Sequence, residues 1–277
     1  MSDNDNNEPA MEARGVGHSL NDTHDVLADA PSSALQVLIE EIEAKNRMRN
    51  RLVKANTKLI LQQEAIKRLK DIPKEEMYLL KMFVTAPLIA AQKPILEQKK
   101  KLEKMLEDLA KELPIYSWWI EGRGRGALGL AQIVGEAGDI GSYRSVGGLW
   151  KRFGLHVVNG QSPVPKRGVK SEYSPHRRAV MFLIGDSLVK AKEKPATKPN
   201  PYREIYDDRK AKEIARNESG EHAERAAAEL KKKTYQKNTA AFKAFNAGKL
   251  PAMMIHLRAQ RYMEKRLLRD LYNEWRK

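Results

Sequence analysis

Residues 115–134 read IYSWWIEGRGRGALGLAQIV. A helix-like aromatic segment ending near Ile120 gives way to the run Gly122-Arg123-Gly124-Arg125-Gly126, and an apolar helical segment, Leu128 to Val134, follows. This is the layout of a helix-hairpin-helix. Glycines let such a turn approach a phosphate, and the free backbone N–H groups at the start of the second helix bind it. On that reading Arg123, Gly124, Arg125 and Gly126 face a phosphate. A glycine-rich connector between two ordinary helices is the plainer alternative, so the neighbouring segments have to decide.

Towards the N-terminus the chain reads as helix. Ser33-Ala34-Leu35-Gln36 has the form of a capping box. From Met48 the residues Met48, Leu52, Ala55, Leu59, Gln62, Ile66 and Leu69 alternate four and three apart, a largely apolar seam on a helix ending before Pro73. A second helix is expected from about Lys74 to Thr85. A third is expected from about Pro94, a residue tolerated in a first turn, to about Leu113, with Ile95, Leu102, Leu106 and Leu109 on one face. Residues 33–113 therefore form an antiparallel, coiled-coil-like arm, whose seam packs within one chain or pairs two chains. A homo-oligomer joined through the arm is the expectation. Residues 114–190 form a compact glycine-containing domain, with Val157-Val158 the one hint of a strand. Residues 191–250 are a linker, beginning AKEKPATKPNP, and an exposed helical insertion; 251–277 are a closing basic helix. The fold class is all-α.

The chain has 277 residues, and its 51 Lys+Arg against 36 Asp+Glu leave a formal charge of +15. The first 35 residues hold seven acids against Arg14 alone, so residues 1–32 read as a disordered acidic tail ahead of a strongly basic body. Such a body suits a polyanion, because each cation placed on a phosphate releases condensed counterions. DNA is the expected partner, with structured RNA as a second polyanion. The absence of cysteine excludes disulfides, thiolate metal sites and thiol catalysis. Met77 to Ala91 is the longest apolar stretch; Lys81 and Pro87 interrupt it, so no membrane span is expected. No secretory signal is read, and the expected location is the cytoplasm of a bacterium or of a phage-infected cell, at the nucleoid.

Beyond the hairpin come Gly138-Asp139-Ile140, Ser142-Tyr143, Ser145 as an N-cap, Leu149 and Gly154-Leu155, then a loop with Ser162 and Gly168, then Ser171, His176 and an Arg177-Arg178 helix. In type and spacing this resembles the C-terminal domain of the Piv/MooV-like bacterial insertion-sequence transposases and DNA invertases. Gly124 and Gly126 fall on the glycines of that family's hairpin, Ser162 on its serine nucleophile, Gly168 and Ser171 on the downstream motif, and Ala259 to Tyr272 on its closing helix. The arm is similar to the family's spacer. The resemblance implies a helix-hairpin-helix-like DNA-binding domain and a role in transposition or recombination. It also shows departures. Arg123 and Arg125 replace the usual residues around the turn, Val157 stands where proline is expected, and Pro163 follows the serine. Pro175-His176 replaces Gly-Asn, and the family's N-terminal RuvC-like DEDD nuclease domain has no counterpart in this sequence.

With Ser162 as nucleophile, Lys166, Arg167 and Lys170 would stabilise the transition state. Without the DEDD acids the expectation is DNA binding without autonomous catalysis. The DNA-facing set is Arg123, Gly124, Arg125, Gly126, Lys151, Arg152, Lys166, Arg167, Lys170, Arg177 and Arg178. Glu136 and Asp139 read as helix-end and turn residues, not metal ligands. No metal site and no cofactor are assigned to this chain; Mg²⁺ enters only if a partner supplies a DEDD domain. The alternatives are an active serine-dependent recombinase completed by a separate RuvC-like chain, or a helical scaffold or assembly protein.

Overall fold

The computed structural model describes residues 33–70, 72–158, 162–163, 168–169, 171, 173–191, 198–232 and 235–277. The acidic tail, residues 1–32, lies outside them. The protein is all-α, and among the described residues there is no strand, Val158 forming only an isolated bridge.

Helix α1 (Ser33–Lys67) runs out along the arm. A return limb comes back as α2 (Lys74–Leu80), a π-helical turn (Lys81–Thr85) and α3 (Ala86–Glu112), of which α3 packs against α1. The expected gap before Pro94 is a correction: Pro94 lies inside α3, and the limb is one helix from Lys74 to Glu112. The π-turn directly precedes Pro87, whose ring would press on the carbonyl four residues back. A widened turn relieves that clash without ending the helix. Continuity also changes the membrane argument, because this helix is long and apolar enough to cross a bilayer by length and composition alone.

The arm is anchored by its base. Ile39 and Ile42 of α1 and Leu106 and Ala110 of α3 are buried, and they clasp α5 (Ala127–Ala137), whose Leu130, Ala131, Ile133 and Val134 are fully buried. The apolar seam expected from Met48 to Leu69 is not buried within the chain: Met48 and Leu69 are exposed, and Leu52, Ala55, Leu59 and Ile66 only half-covered.

Helix α4 (Tyr116–Glu121) precedes α5, and α6 (Val146–Arg152) follows a short 3₁₀ turn at Ile140–Ser142. Helix α7 (Pro175–Lys190) is started by Ser174, whose hydroxyl accepts from the Arg177 amide. Helix α8 (Pro201–Glu218) corrects the expectation of an exposed insertion. Tyr202 and Tyr206 enter the main core, and α8 packs along the closing helix α11 (Ala252–Trp275). Helix α11 buries Ala259, Met263, Leu267, Leu268 and Leu271 against α6, α7 and α8. Helices α9 (Ala223–Lys232) and α10 (Ala240–Asn246) gather round a small second core of Ala226, Phe245, Leu250 and Ile255.

Glu213 of α8 ties these outer helices together. Its carboxylate is fully buried between Arg209 at 2.5 Å and Arg258 of α11 at 2.5 Å, with His222, just ahead of α9, at 3.5 Å. Burial alone would raise the carboxyl, but the bonds from Arg258 and Arg209 outweigh it and hold it below the usual range.

Candidate functional site

The hairpin forms, and its turn is turned inward. Gly124 adopts a φ of 81°, which favours glycine, and a side chain there would press on Leu188 of α7. The Arg123 amide donates to the Pro199 carbonyl at 3.0 Å, and Ser187 Oγ donates to the Gly124 carbonyl at 3.3 Å. Two polar groups of the turn are thus used inside the protein.

Arg125 corrects the expectation of a DNA-facing residue. It is 7% exposed, and its guanidinium lies back over Gly122. The cation sits 4.7 Å from the Trp118 ring, 5.9 Å from Trp119 and 5.6 Å from Tyr202. The aromatic faces stabilise the charge, while burial lowers the guanidinium's affinity for its proton. Trp119, fully buried, donates its indole N–H to the Gly126 carbonyl at 3.0 Å, fixing the entry to α5. Arg123 is half-buried and Gly126 exposed.

The expected cations regroup elsewhere. An open cleft of about 530 Å³ lies between α6 and the start of α7, lined by Tyr143, Gly148, Lys151, Arg152, Ser171, Tyr173, Ser174 and Arg177. Lys151 and Arg152 are exposed at the last turn of α6, and Arg177 is half-buried in the first turn of α7. Arg152 Nε donates to the Glu136 main-chain carbonyl at 2.9 Å, so the head group is oriented while its charge stays uncompensated by that bond. The Ser171 hydroxyl donates to the Tyr173 carbonyl at 2.8 Å, shaping the cleft floor. Burial holds the Tyr143 phenol above its ordinary pKa, and it donates to the Ala137 carbonyl at 2.8 Å. Three cations converge here beside a helix start that Ser174 already caps, with Arg177 also paired to Glu136; the guanidinium and ammonium N–H groups are the donors that suit phosphate oxygens.

Arg178, the neighbour of Arg177, faces another way. Its Nη1 donates to the Tyr173 hydroxyl at 3.0 Å and to the Pro163 carbonyl at 3.4 Å. Ser162 is half-buried, and its Oγ accepts from Arg261 of α11. Arg261 and Arg178 thereby hold Ser162 and Pro163, and the serine hydroxyl is engaged with a cation. Lys166, Arg167 and Lys170 lie outside the described residues.

Asp139 behaves as a turn residue, accepting from the Gly141 amide at 2.9 Å and the Trp275 indole at 3.0 Å. Glu136 is more than a helix-end residue: it accepts from two helices besides its own. Its partners Asn46, Asn50, His176 and Arg177 are far apart in sequence, and no local pattern marks them. No local pattern marks Tyr143 or Ser174 as cleft residues either; for Ser174 the cue in the sequence is a serine cap directly before Pro175. Among the described residues no group of three or more His, Asp or Glu side chains converges in a way that could hold a metal ion. Compared with known proteins, the chain matches no family model, no curated protein and no solved structure.

Proposed function

We propose that this protein binds DNA through the basic cleft between α6 and α7, as a protein of transposase or site-specific recombinase type that performs no strand chemistry by itself. The observation that carries the proposal is the cleft: Lys151, Arg152 and Arg177 surround it with Ser171, Ser174 and the start of α7. Phosphate contacts of this kind position a duplex without reading its sequence, so weak sequence preference is expected. The transposase type rests on the resemblance of residues 122–180 and of the closing helix.

The test is a fluorescence-anisotropy titration of a 20-base-pair duplex at low salt, with the wild type and Lys151→Ala/Arg152→Ala. Each charge-assisted contact is worth roughly 1–3 kcal/mol, so the double variant should bind at least tenfold more weakly. Ser162→Ala should bind as the wild type does. Failure of the wild type to bind at low salt sinks the proposal.

A second reading, self-association through the arm, is favoured by the exposure of Tyr78, Leu79, Met82, Phe83 and Ile89 on the return limb and of Ile60 and Leu61 on α1. Apolar surface gathered in one region in this way marks an interaction site.

A further inference from the structure

Glu136 lies on α5, 8% exposed, between the base of the arm and the cleft. Its two carboxylate oxygens serve the two sides. Oε1 accepts from Asn46 Nδ2 at 2.9 Å and Asn50 Nδ2 at 2.8 Å, both on α1, and lies 3.1 Å from His176 Nε2. Oε2 accepts from Arg177 Nε at 3.2 Å, and the main-chain carbonyl accepts from Arg152 Nε at 2.9 Å. Arg152 and Arg177 are two of the three cations in the cleft wall.

The packing around this carboxylate leaves little room for the arm base to move independently. A Cβ on Gly135 would come within 2.6 Å of the Asn46 side chain, and one on Gly138 within 2.9 Å of Glu43 Oε1. Helix α1 therefore rests on the backbone of α5 at the place where Glu136 turns across to α7. A shift of α1 pulls on Oε1, and the same rigid carboxylate carries the shift through Oε2 to the guanidinium of Arg177.

We infer that Glu136 is a positioning residue for the cleft, presetting Arg177 and Arg152 for phosphate and linking their placement to the base of the arm through Asn46 and Asn50. The inference rests on the cleft's reading as the DNA site. By thermodynamic reciprocity, whatever the arm does to the cleft, a ligand in the cleft does to the arm base.

Glu136→Gln separates this role from simple support. A glutamine keeps a carbonyl oxygen for the two asparagines but places an NH₂ where Oε2 accepted from Arg177, so the guanidinium is released while the fold's other contacts remain. Affinity for the 20-base-pair duplex should fall about threefold to tenfold, and the slope of log K against log salt should shrink by about 0.9, one phosphate contact. Asn46→Ala/Asn50→Ala touches no cleft residue, yet should weaken binding in the same direction. In the wild type, duplex should slow hydrogen exchange of amides 43–50. If Glu136→Gln does not fold, the asparagine variant and the exchange measurement decide.

Wild-type affinity and slope in both folded variants, with exchange at 43–50 indifferent to duplex, overturn the inference. A change in Glu136→Gln alone overturns the arm's part in it. No binding by the wild type overturns the cleft reading itself, an outcome distinct from either.

Discussion

Arg125 shows how one side chain changes its role with its surroundings. In the sequence it is a cation in a glycine turn; in the fold it is the filling of an aromatic box made by Trp118, Trp119 and Tyr202. Burying this charge costs desolvation that the ring contacts and the charges of Glu121 and Asp270 only partly offset, and an apolar side chain of similar length avoids that cost. Arg125→Met should therefore leave stability within about 1 kcal/mol of the wild type and duplex affinity unchanged. A tenfold loss of binding in a folded Arg125→Met protein would return the residue to the DNA surface. Glu264 gives a pH-dependent counterpart. It is buried in α11 against Gly185 of α7, and its hydrogen-bonding neighbour is Gln260, which donates to it at 2.9 Å and to the Phe182 carbonyl at 2.8 Å. Burial pushes its carboxyl up to about 8, with the Gln260 bond and the charge of Arg178 pulling only weakly the other way. The folded protein keeps this proton at pH values where the unfolded chain, near the ordinary carboxyl pKa, has lost it. Stability from this group is full below about pH 4.5 and falls by as much as roughly 1.4 kcal/mol per pH unit towards pH 8. Denaturant unfolding at pH 5, 6.5 and 8 should show the wild type losing stability relative to Glu264→Gln as pH rises; parallel curves would refute the raised pKa.

Among the elements, the arm is two things at once. Its base is core, because Ile39, Ile42, Leu106 and Ala110 close over α5, and Arg49 meets Glu103 at 2.8 Å just above them. Its outer part has apolar side chains in the open, Phe83 at 68% and Leu61 at 60% exposure among them. Deleting the whole arm would therefore remove the base that covers α5 and unfold the protein. Excising residues 54–98 and joining the limbs by a short turn removes only the outer part. If the outer arm drives self-association, light scattering should find the full chain oligomeric and the excised chain monomeric with its helical fold intact. The same mass for both would dismiss the arm as the interface. By length and composition alone the return-limb helix from Lys74 to Glu112 would also span a bilayer.

For the molecule as a whole, the controlling quantity is charge. On the proposed DNA-binding reading, the formal +15 of the chain predicts association that depends on salt whatever the sequence of the partner. The three cleft cations alone, each neutralising one phosphate, give a slope near −2.7 and about a fortyfold loss of affinity between about 50 and 200 mM salt. A measured slope well beyond that would assign further contacts to cations outside the cleft, such as Arg123 or the loop lysines. A flat response would mean that the cleft does not meet phosphate. Lys151→Ala/Arg152→Ala should lower the slope by about 1.8, a readout separate from its loss of affinity.

Sequence by itself determined the helical class, the arm, the hairpin at 122–126 and the closing helix. Each of these is written in local terms: 3.6-residue periodicity, glycine at a turn, and proline and serine at helix starts. The same local signals placed cations near the hairpin without saying which way they face. Direction is set by what packs alongside. Arg125 turns inward because Tyr202, seventy-seven positions later, completes its box; Lys151 and Arg152 line one cleft with Arg177 because α6 and α7 both pack on α11. Glu136 joins arm and cleft because Gly135 lets Asn46 approach. Continuity through Pro94 also belongs to the tertiary structure, since packing of α3 on α1 outweighs the lost hydrogen bond that makes proline a helix breaker in isolation. These are contacts between residues far apart in the chain, and their energies depend on burial that no local window contains.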